Sequence, residues 1–220
     1  HDLRGPIGSM EQMLSVYMNS EESLDNEAKK EIISLLHNTA HESYNLLDNL
    51  LEWGRSQRQS AAKPSTVEIK EIVDETTMLL LSMASSKKIL IEVTIEKDCK
   101  AFVDPMMLKT ILRNLLTNSI KFTPAEGKIS IKGTTKDKEC IISITDSGIG
   151  IPEEKIELLF DDSNTFSTVG TNNEKGTGLG LKLVKRFVDK NEGTLTVQSN
   201  QGDGTTFIIS FPATQSTSSN

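Results

Sequence analysis

Cysteine is nearly absent from this chain: Cys99 and Cys140 are the only two in 220 residues. Two cysteines cannot build a disulfide framework, and their spacing fits no metal motif, so a reducing compartment is expected. Basic residues are in deficit. Against 31 Asp and Glu stand 24 Lys and Arg, a net charge of −7, and the pI lies near 5.1. No basic field is present to attract phosphate backbones or anionic lipids at long range, which argues against nucleic-acid and membrane-surface binding. Long apolar runs are missing too. Stretches such as MLLLSM (78–83) fall far short of the ~20 residues that span a bilayer. There is no internal repeat, no signal peptide and no initiator methionine. The chain reads as a soluble fragment of a longer protein.

Helical periodicity dominates the first sixty residues. On the second of two helical stretches Ile32, Ile33, Leu36, Ala40, Leu47, Leu50 and Leu51 recur at steps of three and four, which draws an apolar stripe. Asp25 or Asn26 is placed to cap that helix. Two helices with one stripe each suggest an antiparallel hairpin that dimerises into a four-helix bundle. The competing reading is a hairpin packed on its neighbouring domain. Trp53 reads as a packing anchor at the bundle's end. His37 and His41 lack an HExxH pattern or a third ligand, so no metal site is expected there.

SAAKPST (60–66) reads as a linker, and the pattern changes after it. VDETTMLLLSMASSKK is helical, and ILIEVTIEK alternates as a strand does. Asp104 and Pro105 mark a helix start, since the carboxylate accepts from the first free N–H groups and proline loses nothing there. KISIKGTTKDKECIISITD and GTLTVQSNQGDGTTFIISFP read as hairpins, PEEKIELLF and LGLKLVKRFVDKN as helices. Between those two helices lies a long polar loop, and the last residues form an unstructured tail. Hairpins segregated from helices predict an α+β layering, with helices on one face of a mixed sheet. Met78, Met83, Met106 and Met107 are expected in the core.

Three segments carry polar residues that packing alone does not require. In NLLTNSIKFT, Asn114, Asn118 and Lys121 share one helical face. Two carboxamide oxygens and an ammonium suit a metal–phosphate group, and a solvated surface face is the bland alternative. In DSGIGI a strand ends at Asp146, whose carboxylate can accept from an exocyclic amine. Gly148 and Gly150 then permit close backbone approach. In KGTGLGL, Gly176, Gly178 and Gly180 lead into a helix start, where free N–H groups and the dipole favour anions. The pattern is neither a P-loop nor a dinucleotide turn.

In this order, the three segments resemble the N box and two glycine boxes of the ATP-binding domain of sensor histidine kinases. GDGTTF (202–207) resembles the short glycine motif near that domain's end, and HDLRGPIG the H box of the family's phosphotransfer hairpin. The resemblance covers about residues 1–213. It implies an N-terminal antiparallel helical hairpin, a four-helix bundle in the dimer, at 1–59. After a linker at 60–66 follows an α/β sandwich of the gyrase, chaperone, histidine kinase and MutL ATPase type at 67–213, then a disordered tail at 214–220. It further implies ATP-dependent phosphorylation of His1, with Asp2 holding the Nδ1 proton, and transfer to an aspartate of a response-regulator receiver domain.

By the same resemblance Asn118 is the Mg²⁺ ligand, Asn114 lies beside the phosphates and Lys121 neutralises their charge. Phe122 packs near the adenine, and Asp146, with Gly148 and Gly150, receives it. Gly176, Thr177, Gly178 and Gly180 form a lid hinge and phosphate cradle. A homodimer and a cytoplasmic location, in a parent anchored in the membrane through regions outside this fragment, complete the expectation.

Two departures stand out. Gly5 occupies the position four after the histidine, where the family often has Thr or Asn linked to phosphatase activity, so weak phosphatase activity is expected. Phe160 and Phe166 are separated by DDSNT, where the family often has two phenylalanines close together, so the lid receives no specific contacts. The ATP-hydrolysing relatives and the related serine kinases use a glutamate where this chain has Asn114, which argues against both. A degenerate scaffold that dimerises without catalysis is the third reading, and the intact nucleotide motifs weigh against it. Pro6 lies between Gly5 and Gly8. It reads either as a helix start or as a bend one turn beyond the nucleophile.

Overall fold

The computed structural model describes residues 4–20, 24–58, 62–160, 168–172, 174 and 178–215. The chain divides into two compact units, His1–Ser60 and Ala61–Asn220.

The first unit holds helices α1 (Arg4–Ser20) and α2 (Asn26–Arg58), which pack on each other. Asp25 caps α2, its Oδ1 accepting from the Ala28 N–H at 2.7 Å. Pro6 lies within α1. A pocket lined by Ser9, Gln12, Met13, Val16 and Ile32 joins the two helices. Ile33 and Leu47 of the apolar stripe are 54% and 44% exposed. His1 and Asp2 lie outside the described residues, as do the side chains of His41, Leu50, Leu51 and Trp53.

The second unit is an α+β sandwich. Strand β1 (Ser65–Glu68) pairs antiparallel with β3 (Lys100–Val103). β1 begins two residues inside the stretch read as linker. Its four residues are too few to show alternation in sequence. The main sheet takes β2 (Leu90–Ile95), β4 (Lys128–Lys136), β5 (Glu139–Asp146), β6 (Thr194–Ser199) and β7 (Thr205–Pro212) in the order β2-β4-β5-β7-β6. Only the β2–β4 pair is parallel, so the sheet is mixed as expected.

Register makes one face of the sheet apolar. Ile131 stands opposite Ile144, Ile142 opposite Ile209 and Ile144 opposite Phe207, and all of these are buried. Against the sandwich core lie helices α3 (Ile69–Ser86), α4 (Pro105–Phe122) and α6 (Gly180–Lys190). α3 contributes Ile69, Ile72, Val73, Leu80 and Ala84 at helical spacing, α4 contributes Leu108, Ile111, Leu112, Leu115, Leu116 and Ile120. Each buried Ile, Leu or Val of these stabilises the unit by ~1.5–3 kcal/mol relative to exposure. Met83 and Met107 pack against this core. Met78 and Met106, expected inside, are 79% and 70% exposed because they fall on the outer faces of α3 and α4.

Asp104 caps α4 as the sequence suggests, accepting from the Met106 and Met107 N–H groups at 3.0 and 3.2 Å. After β5 comes α5 (Glu153–Ile156), extended by a short 3₁₀ turn over Glu157–Phe160. Among the described residues no helix is long and apolar enough to cross a membrane.

Candidate functional site

α4 is the spine of the site. Its core face faces the sheet, while Asn114, Asn118 and Lys121 ride on the adjoining flank and Phe122 ends the helix. Two interlocked turns lie at its C-terminal end, and a third abuts Asn114 in its middle.

The first turn follows β5. Asp146 closes that strand and is only 5% exposed. Its Oδ1 accepts from the backbone N–H groups of Gly148 (3.0 Å) and Thr205 (3.1 Å), and its Oδ2 accepts from the Ser119 hydroxyl (3.1 Å). Every one of these donors is neutral. Burial therefore pushes the Asp146 carboxyl above the ordinary carboxylate range, and the bonds from Gly148, Ser119 and Thr205 offset part of that rise. Gly148 is needed because a Cβ there would stand 2.7 Å from both Asp146 Oδ1 and the Phe122 carbonyl oxygen. The Ile149 N–H bonds that same carbonyl at 3.2 Å, which ties the end of α4 to the turn.

The second turn joins β6 to β7. Gly202 and Gly204 adopt φ of +93° and +85°, conformations that side chains resist. A Cβ on Gly204 would sit 2.0 Å from the Asp146 carbonyl oxygen, and one on Gly150 (φ +67°) would sit 1.9 Å from the Asn200 carbonyl oxygen. The two glycine turns thus interlock, held by the Gly202 N–H on the Ile149 carbonyl at 2.8 Å. Their joint effect is to bury Asp146 at the rim of the sheet with its lone pairs incompletely used.

The third turn precedes α6. Gly178 has φ +70°, and a Cβ on Gly180 would lie 2.6 Å from Asn114 Oδ1. The start of α6 therefore abuts the polar flank of α4. Asn114 donates from Nδ2 to the Thr110 carbonyl at 2.9 Å, so its carboxamide is oriented by its own helix. Lys121 is buried to 8% exposure; its ammonium donates to the Thr168 carbonyl at 3.0 Å and stands 4.7 Å from the Phe122 ring centre, a cation–π distance. Asn118 is half-buried between Asn114 and Lys121 in sequence, one turn from the former.

Of the residues singled out in sequence, the structure gathers Phe122, Asp146, Gly148 and Gly150 around one turn, and sets Asn114 against Gly180. Gly176 and Thr177 lie outside the described residues, with His1 and Asp2. Sequence reasoning missed Ser119 and Thr205, the supports of Asp146. Thr205 had a signal, since it stands directly after the glycines of GDGTTF. It also missed Lys87, whose buried ammonium reaches the last turn of α4.

The profile of the histidine kinase-, DNA gyrase B- and HSP90-like ATPases matches residues 103–215. The sensor protein EvgS of Escherichia coli strain K12 is 31% identical over 220 residues, covering 96% of this chain and 18% of EvgS. The catalytic domain of histidine kinase ThkA superposes with a TM-score of 0.61 at 27% identity, covering 70% of this chain and 99% of that one. ThkA in complex with the response regulator protein TrrA gives a TM-score of 0.72 over 97% of this chain and 59% of that one, a likeness of fold at 23% identity. The chain spans 18% to 46% of the length of its first curated relatives. It belongs to the histidine kinase-, DNA gyrase B- and HSP90-like ATPase family and carries the catalytic domain of a two-component sensor histidine kinase.

Proposed function

We propose that this chain is the phosphotransfer core of a protein-histidine kinase: it phosphorylates His1 from ATP and passes the phosphoryl group to an aspartate of a response-regulator receiver domain. The observation that carries the reading is Asp146. A buried carboxylate bound only by neutral donors keeps acceptor capacity for one further donor, and the exocyclic amine of adenine supplies it. Phe122 flanks the ring side of that seat. Asn114 lies eight residues earlier on α4, about 12 Å along the axis, which matches the distance from a base to its phosphates.

Lys121 offers positive charge to the phosphates, and Gly178 and Gly180 open the start of α6 to an anion. Asn118 fits Mg²⁺ by the chemistry of its donor: a neutral carboxamide oxygen suits a hard cation that keeps most of its shell for water and phosphate. When bound, Mg²⁺ neutralises developing charge on the phosphate oxygens. Asn114, where hydrolysing relatives carry a glutamate, cannot serve as a general base for water, so the bound triphosphate is reserved for a protein nucleophile. That nucleophile is His1 Nε2, whose bond to the γ-phosphorus forms as the bridging P–O bond breaks and ADP leaves. Asp2 holds the Nδ1 proton and keeps Nε2 free. Catalysis is then largely positioning and electrostatics.

The helical unit serves as the dimerisation and phosphotransfer hairpin at 1–59, a four-helix bundle when two copies meet. The partly exposed Ile33 and Leu47 support that pairing. Gly5 gives no side chain to orient a water, so phosphatase activity toward the regulator is weak. The parent protein is a membrane-anchored sensor.

The test uses γ-labelled ATP and Mg²⁺ with this chain, or a longer one that contains it, beside a His1→Ala variant. The expected label is acid-labile, alkali-stable and absent from the variant. Label that persists in the variant overturns the assignment.

A further inference from the structure

Lys87 ends α3 at its C-cap, and its carbonyl accepts from the Glu126 N–H at 2.9 Å. Its side chain is only 9% exposed, an unusual position for a lysine. The three N–H groups of the ammonium face four acceptors: the Ile120 carbonyl at 2.9 Å, the Lys121 carbonyl at 3.0 Å, Thr171 Oγ1 at 2.7 Å and Glu174 Oε1 at 3.0 Å. The first two are last-turn carbonyls of α4, which have no helical partner of their own and favour a cation. The other two belong to the loop between the first and third glycine turns. One charge thus clamps that loop to the helix carrying the polar flank.

The surrounding bonds run the same way. The Thr171 N–H donates to the Lys121 carbonyl at 3.1 Å, and its hydroxyl reaches the Thr123 carbonyl at 2.9 Å. The Gly170 N–H donates to the Glu174 carbonyl at 2.8 Å and the Asn172 N–H to Glu174 Oε2 at 2.7 Å. Gly170 lies so close that a Cβ would meet Glu174 Oε2 at 2.4 Å and Lys121 Cγ at 2.6 Å. Two residues before Gly170, the Thr168 carbonyl holds the Lys121 ammonium.

We propose that Lys87 is a positioning residue: through Thr171 and Glu174 it anchors residues 168–172 on α4, and so sets where the Lys121 ammonium stands for the phosphates of the nucleotide. The proposal rests on the nucleotide reading of the site for its consequence, and on the hydrogen bonds alone for the anchor. It predicts that loss of the anchor weakens recognition of phosphate and leaves recognition of adenine intact, because the Asp146 seat shares none of these bonds.

The test compares wild type, Glu174→Ala and Lys87→Met in the whole chain. Without nucleotide, hydrogen exchange at the Gly170, Thr171 and Asn172 amides is expected to accelerate about tenfold or more in Glu174→Ala, with the β5 and β7 amides unchanged. The dissociation constant for ATP with Mg²⁺ is expected to rise about fivefold, while that for adenosine stays within about twofold. Lys87→Met is expected to behave alike; should it fail to fold, Glu174→Ala decides, since Glu174 is 31% exposed and outside the core. Unchanged exchange overturns the anchor, and equal losses for ATP and adenosine overturn the positioning role. Wild type that binds no ATP overturns the nucleotide reading, and the exchange result still decides the anchor.

Discussion

Two carboxylates near the end of α4 are shifted in opposite directions by their surroundings. Asp146 is buried among neutral donors, two backbone N–H groups and a serine hydroxyl, and burial carries its carboxyl above the usual range. Glu174 is partly buried as well, which pushes it up, but the hydrogen bond and charge of Lys87, with backbone N–H groups, outweigh that push and hold it below the usual range. A carboxylate with a full cationic partner is a structural tie. One without such a partner retains unsatisfied acceptor capacity, and a site can spare that capacity only where a ligand arrives. Two similar residues therefore have different duties, and the difference lies in the charge of their neighbours.

The most severe way to break the contrast is to remove the seat of Asp146. Gly204→Ala forces a side chain into a positive-φ position and against the Asp146 carbonyl, at an expected cost of about 2–5 kcal/mol. Gly202→Ala shares the positive φ but meets nothing within 4 Å, so about 1–2 kcal/mol is expected. Thermal or urea unfolding of the two variants measures the difference. Equal losses would show that backbone strain, and not the approach to Asp146, explains the glycine.

Next in size is Asp146→Asn. The carboxamide keeps Oδ1 for the Gly148 and Thr205 N–H groups and can donate to the Ser119 oxygen, so the fold survives. Adenine loses a charged acceptor worth ~1.5–3 kcal/mol, and ATP affinity is expected to fall about 10- to 100-fold by titration calorimetry. Stability moves the other way. A folded-state carboxyl raised above its unfolded value contributes fully below the unfolded value, and that contribution is lost as pH rises through the folded one. Wild type should lose stability across that window, and the variant should not. A variant less stable than wild type at neutral pH would contradict the burial cause.

The smallest effect belongs to Glu174, where the sign reverses. Its folded value is depressed, so its contribution is present above the unfolded value and lost as pH falls through the folded one. Exchange protection at Gly170, Thr171 and Asn172 should therefore weaken on acidification through the folded value, after correction for intrinsic rates. Protection that grows on acidification would remove the ion pair from the account.

Much of the second unit was legible residue by residue. The Asp104 cap, the shared face of Asn114, Asn118 and Lys121, and the hairpins at 128–146 and 194–212 all rest on interactions within a few residues. β1 and β3 escaped because four residues each give no alternation to read. Met78 and Met106 were misplaced because an apolar residue beside a helical stripe looks the same in sequence whether it turns inward or out. The supports of Asp146 were harder still: Ser119 and Thr205 stand 27 and 59 positions away. Thr205 arrives only because it pairs with Asp146 across β5 and β7.

The sequence by itself determined the elements, the polar flank of α4 and the glycine turns, because periodicity, capping and backbone sterics act over one or two turns of chain. Only the tertiary structure decided which groups share a site and what charge state each prefers. A lysine at a helix end reads as solvated charge until Thr171 and Glu174, 84 and 87 positions later, close over it. Electrostatics depends on who stands within a few ångströms, and folding alone sets that.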